Sequence, residues 1–160
     1  MVTPFETAPD DSRLWIFPSS RKFYPQELEK ISDSISVFLN QWKSAEHAIE
    51  SGFQIKYDRF IMIVALEGQN SLSLEAHDAL SSFILTLEKQ LSVTLLDKIN
   101  ICYKQGEFVQ YKESADFKKM IKNRSVSKNT IVFDNMISTK GQLNFDWEVY
   151  LSESWLSHLL

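Results

Sequence analysis

The chain has 160 residues, 44% apolar and 24% charged, with only four glycines and four prolines, which suits one folded domain and excludes disordered, collagenous and low-complexity classes. Its 17 basic and 21 acidic side chains give a formal charge of -4, so the broad basic footprint of a nucleic-acid binder is missing. Cys102 is the single cysteine, which excludes an internal disulfide and any zinc site built on two thiolates.

Met1 to Asp11 has neither the cationic nor the apolar region of a signal peptide, and the longest apolar run, Phe60 to Leu66, is far shorter than the roughly 20 residues of a membrane helix. The expectation is a cytoplasmic chain with no membrane partner. Arg13 to Phe17, closed by Pro18-Ser19-Ser20, reads as a buried strand entering a turn. From Pro25 the period changes, and Leu28, Ile31, Ile35, Phe38, Leu39 and Trp42 predict a helix to about Lys43. Phe53, Ile55 and Tyr57 alternate with polar residues, as an edge strand does. Phe60 to Leu66, apolar throughout, reads as a strand covered on both faces. Ser73 caps a second helix with Ala76, Leu80, Phe83, Ile84, Leu87 and Leu91 on one stripe. Ile99, Ile101 and Tyr103 predict a fourth strand, turning at Gln105-Gly106 into a fifth over Glu107 to Lys112. A short helix over Ser114 to Asn123, a strand over Thr130 to Ile137 and an aromatic tail follow.

The order strand, helix, strand, strand, helix, strand predicts an α+β fold with a ferredoxin-like βαββαβ core and an antiparallel sheet ordered 4-1-3-2. The expected single domain comprises a core over residues 12–112 and a C-terminal hairpin and helix extension over residues 113–160. Two helices cover one sheet face only. The other face is therefore assigned to the extension, anchored by Trp147 and Trp155, with a homodimer as the other candidate cover.

Gly occurs only at 52, 68, 106 and 141, and no G-x-x-x-x-G-K-[ST] is present, so no phosphate-binding glycine loop, ATPase activity or nucleotide cofactor is expected. His47, His77 and His158 are isolated, and no metal is expected. Cys102, in the middle of a strand, reads as a small hydrophobe. Glu67, Glu75, His77 and Asp78 gather around the start of the second helix and form the alternative, catalytic reading, an acid/base cluster; the plainer reading of acids in a first helical turn is complementarity to the helix dipole. Lys118, Lys119, Lys122, Arg124 and Lys128 are either a seat for an acidic group or a solvated face. Phe108, Val109 and Tyr111 echo an RNA-recognition strand, but on the wrong strand, and nucleic acid is disfavoured as a partner. Arg13, which flanks the first strand, and Arg21, which follows its turn, are the candidate ligand-binding residues, for a small anion or a carboxylate.

Ser12-Arg13-Leu14-Trp15-Ile16-Phe17 followed by Arg21-Lys22, then Asp97-Lys98, and the tail segments Ser138 to Trp147 and Ser152 to Leu156 resemble a small bacterial family of about this length, some members of which carry the label ABC transporter ATPase. The missing phosphate loop keeps that activity from being carried over. Other members tend to have Ser-Gly-Cys-Ser-Ile-Asp where this chain has Ser73-Leu74-Glu75-Ala76-His77-Asp78, and His-Gly where it has Ala45-Glu46. Any activity resting on that cysteine or histidine is absent here. The leading expectation is a non-catalytic domain that acts by binding or self-association.

Overall fold

A computed structural model describes residues 1–66 and 72–160. Along the chain, β1 (Arg13–Pro18) is followed by α1 (Pro25–Gln41), a small hairpin of β2 (Lys43–Ser44) and β3 (His47–Ala48), then β4 (Ser51–Lys56), β5 (Phe60–Ala65) and α2 (Leu74–Leu91). The second half holds β6 (Ile101–Gln105), β7 (Phe108–Lys112), α3 (Ser114–Lys122), β8 (Ile131–Phe133) and β9 (Glu148–Tyr150). The protein is α+β with antiparallel sheets.

Local chemistry sets the helix boundaries. Pro25 starts α1 with its φ already helical, and the Tyr24 amide donates to Glu27 Oε1 at 2.7 Å. Ser73 accepts from the Ala76 amide to open α2, which closes on Ser92 in the left-handed conformation. Ile31, Ile35 and Leu39 of α1 and Ala76, Leu80, Ile84 and Leu87 of α2 are buried in one cluster with Phe17, Ile61, Ile63 and Ala65 of the first sheet.

That sheet has the order β1-β5-β4. Every residue of β5 is buried, as its unbroken apolar run requires. The expected fourth strand does not join it. β6 instead lies in a second sheet, ordered β7-β6-β8-β9, so the 4-1-3-2 arrangement is corrected. The outer edge of β1 is met by the chain near Thr139, where the Leu14 amide donates to the Ser138 carbonyl at 2.9 Å and Lys140 donates to that of Ser12 at 3.0 Å.

The two sheets stack face to face. Leu14, Ile16, Phe60, Met62 and Val64 pack against Cys102, Phe133, Ile137 and Trp147. Alternate residues of the second sheet, Ile101, Tyr103 and Val132, face the other way, onto Phe117 and Ile121 of α3 and onto Leu151 and Leu156. The result is a helix–sheet–sheet–helix layering. The physical reason is the dry second face of the first sheet: each large side chain left in water there would forgo roughly 1.5–3 kcal/mol, and stacking β6 over that face removes the loss where pairing it edge-on would not. Residues 113–160 thus complete a sheet that begins before them, and Trp155, expected as an anchor, is 46% exposed while Trp147 is 1% exposed.

β4 is not a free edge either. Val2 bridges Ser51 in parallel, and Thr3 donates to the Ser51 carbonyl at 2.7 Å. Gly52 is what permits this approach, since a Cβ at this position would sit 2.5 Å from the Thr3 carbonyl oxygen.

Candidate functional site

Arg21, one of the two arginines the sequence nominates, has both terminal nitrogens engaged. Its Nη1 and Nη2 donate to the two Glu27 carboxylate oxygens at 2.9 and 3.0 Å, Nη2 also reaches the Leu91 carbonyl at 2.9 Å, and Nη1 that of Lys22 at 3.2 Å. The guanidinium also lies 4.4 Å from the Tyr24 ring centre. The hydrogen bond from Arg21 holds the Glu27 carboxyl below its usual range against a smaller opposing effect of burial, with the Tyr24 amide adding to the lowering, and the same bond raises the arginine. Arg21 therefore ties the turn after β1 to the start of α1 and the end of α2. It is a carboxylate partner within the fold and leaves no fork open for a ligand.

Arg13 differs. It stands at the start of β1, its guanidinium 5.3 Å from the Trp15 ring, and its Nε is buried without a hydrogen-bond partner. Lys98, from the loop after α2, holds its ammonium 5.2 Å from the Phe17 ring on the same strand. Burial first, and the positive charge of Arg13 second, lower the Lys98 pKa. Neither cation has an ion pair among the described residues, where the two bridges found are Arg21 to Glu27 and Lys104 to Glu148. Both cations are half-buried, and an anion bound beside them would offset the charge that no carboxylate among the described residues pairs with.

Lys98 also stands in an apolar setting. A depression of about 660 Å³ is lined by Leu96, Asp97, Lys98, Ile99 and Met136, and one of about 210 Å³ by Lys98, Asp134, Asn135, Met136 and Trp155. Leu96 is 38%, Ile99 77% and Met136 70% exposed. Adjoining exposed apolar side chains of this kind mark an interaction surface. Ile99 was expected inside a strand. It lies outside because Asp97 Oδ1 accepts from the Ile99 and Asn100 amides, forming a side-chain-closed turn that delays the strand to Ile101. Asp97 is spent in that turn, its Oδ2 also accepting from Asn100 Nδ2 at 2.9 Å, and so does not neutralise its neighbour Lys98.

The acid/base cluster does not assemble among the residues described. Glu67 lies outside them. Glu75 is exposed and lines a cleft with Phe38, Trp42 and Lys43. His77 turns the other way, edge-on to Trp15 at 5.9 Å, and Asp78 is exposed. No group of His, Cys, Asp and Glu able to hold a metal occurs among the described residues. Cys102 is fully buried, and burial pushes its thiol up to about 12, which agrees with its reading as a small hydrophobe.

Lys118, Lys119, Lys122, Arg124 and Lys128 are all exposed on and after α3, as a solvated face is. Phe108 is 69% exposed on β7, but the Tyr111 hydroxyl is engaged with Thr94 at 3.1 Å and Asn100 at 3.0 Å. The buried β5 offers no platform on which bases could stack. Lys98 and its apolar surroundings, which the sequence singled out only through the resemblance, are what the fold adds to Arg13. No helix among the described residues is long and apolar enough to cross a membrane, and no protein-family model, curated protein or solved structure matches the chain.

Proposed function

We propose that this chain is a non-catalytic binding domain that takes an acidic, partly apolar protein segment in the cleft beside β1. The observation that carries this is Lys98, without an ion pair among the described residues and near enough to Arg13 for that charge to lower its pKa, beside exposed Leu96, Ile99, Met136 and Trp155. A carboxylate of the partner satisfies the cations, and its apolar side chains cover the exposed ones. The exposure of Glu75 and Asp78, with His77 packed on Trp15, supports a non-catalytic reading, and the single buried thiol supports a cytoplasmic setting. Self-association through this face is disfavoured by charge, because a two-fold contact sets Lys98 and Arg13 of one copy close to the same cations of the other. Nucleic acid is disfavoured by the net charge of -4 and by the missing base platform.

The test is a fluorescence titration with a short peptide alternating aspartate and leucine, read through the tryptophans. Saturable binding that weakens from about 0.05 to 0.5 M salt, where screening shortens to a few ångströms, and that is lost in Lys98→Glu supports the reading. Binding that Lys98→Glu leaves intact, equal binding of a lysine–leucine peptide or of single-stranded RNA, or dimerisation that Lys98→Glu disrupts would overturn it.

A further inference from the structure

A second cation without an ion pair among the described residues lies in a different part of the fold. Arg59 follows the turn between β4 and β5 and is only 8% exposed, the one charged residue among the buried ones described. Its guanidinium makes one hydrogen bond among the described residues, from Nη1 to the Ser19 carbonyl at 3.1 Å. No carboxylate among the described residues forms an ion pair with it. A guanidinium stays charged at any physiological pH and offers five donors in a planar fork, so one carbonyl leaves most of its capacity unused. Burial lowers the Arg59 pKa against small opposing contributions of Cys102 and Tyr111, and no carboxylate contributes.

The turn that presents this arginine is itself unusual. Tyr57 and Asp58 both have positive φ, at 55° and 51°, and the Arg59 amide donates to the Lys56 carbonyl at 3.1 Å. Such a turn favours Asn and Gly, and side chains like these adopt it at a cost. The strain is held by long-range contacts. The Tyr57 hydroxyl donates to Glu148 Oε2 at 2.8 Å, and the Asp58 carbonyl accepts from the Phe23 amide at 2.7 Å. Arg59 lines a cavity of about 200 Å³, with Lys22 as a second cation and with Phe108 and Val109 as its apolar wall. At about 30 Å³ per water, that space suits a ligand of a few heavy atoms.

We infer that this cavity is a binding site for a small monocarboxylate, its carboxylate in the fork of Arg59 and its hydrocarbon part against Phe108 and Val109. Asp58 and Glu107 also line the cavity and balance Arg59 and Lys22, so a ligand with one negative charge is opposed less than a doubly charged phosphate. The exposed Phe108 then has a task that the RNA-strand echo could not give it. The site is separate from the depressions at Lys98, with no lining residue in common, and the inference does not depend on them.

The test follows amide shifts of the full chain in a nitrogen-15 correlation spectrum during titration with butyrate, with inorganic phosphate as the parallel arm. Saturable shifts at Arg59, Phe108 and Val109 are expected with a millimolar midpoint. Arg59→Gln should weaken butyrate binding at least tenfold. Phe108→Ala and Lys22→Glu, both at exposed positions, should each weaken it several-fold, and they keep the test open should Arg59→Gln fail to fold. No saturable shift up to about 50 mM butyrate, tighter binding of phosphate, or midpoints unchanged in Phe108→Ala and Lys22→Glu would overturn the inference.

Discussion

Replacing Phe60 and Phe133 by leucine, singly and together, measures the contact between the two sheets. Phe60 belongs to β5 and Phe133 to β8; they are 0% and 2% exposed, and their ring centres lie 4.9 Å apart. Each substitution removes about three carbons from a site with no access to water, and at roughly 0.8 kcal/mol per buried carbon group the expected loss is about 2.4 kcal/mol each. The rings also touch each other, so the double variant should lose less than the sum, by about 0.5–1.5 kcal/mol for an aromatic pair. Urea unfolding of the four proteins, with equal slopes against denaturant, gives the cycle directly. Losses that add to within about 0.3 kcal/mol would mean that the two phenylalanines do not share an interface, and the stacking of the sheets would have to be abandoned.

Gly52→Ala places a Cβ against the Thr3 carbonyl oxygen and should lower stability by about 1–3 kcal/mol in urea unfolding, the usual cost of overpacking; an unchanged midpoint would mean that the segment at Val2 and Thr3 is not held there. Glu27 has its pKa depressed in the fold, so its contribution is present above the ordinary carboxylate pKa and fades as pH falls through the lower folded value. Arg21→Gln should thus cost more stability at pH 7 than at pH 3, by about 1 kcal/mol for this partly exposed pair, and equal losses at both pH values would contradict the pairing. Cys102, buried with its thiol pushed up to about 12, should resist thiol-reactive reagents at pH 8 until the chain is unfolded, as mass spectrometry after timed labelling reads; rapid labelling of the native protein would place it elsewhere.

Much of this architecture can be read from side-chain periods. The unbroken apolar run of β5 requires cover on both faces, and the helical stripes of α1 and α2 supply one of them. The position of β6 could not be read in the same way. Ile101 and Tyr103 alternate with Cys102 whether the strand pairs at the edge of β1 or stacks across its face, because period two reports two unlike faces and not what lies against them. Arg13 was legible as a candidate because it flanks a strand. Arg59 was not, since Lys56-Tyr57-Asp58-Arg59 has the composition of an ordinary polar turn, and only the contacts of Tyr57 and Asp58 across the fold reveal that the arginine behind them is buried.

The division of the second sheet along the chain has a consequence for synthesis on the ribosome. The first sheet and its two helices are encoded within residues 13–91, and their contacts can form once that stretch has emerged. Phe133, Ile137 and Trp147, which shield Leu14, Ile16, Phe60, Met62 and Val64, come later. At about 5–20 residues per second, the interval from Leu91 to Trp147 is roughly 3–11 seconds, during which a formed sheet presents its apolar face to solvent. A trigger-type chaperone or a slow codon stretch would act in that window, and elongation speed through the segment before β8 should govern the soluble yield more strongly than speed anywhere else in the message.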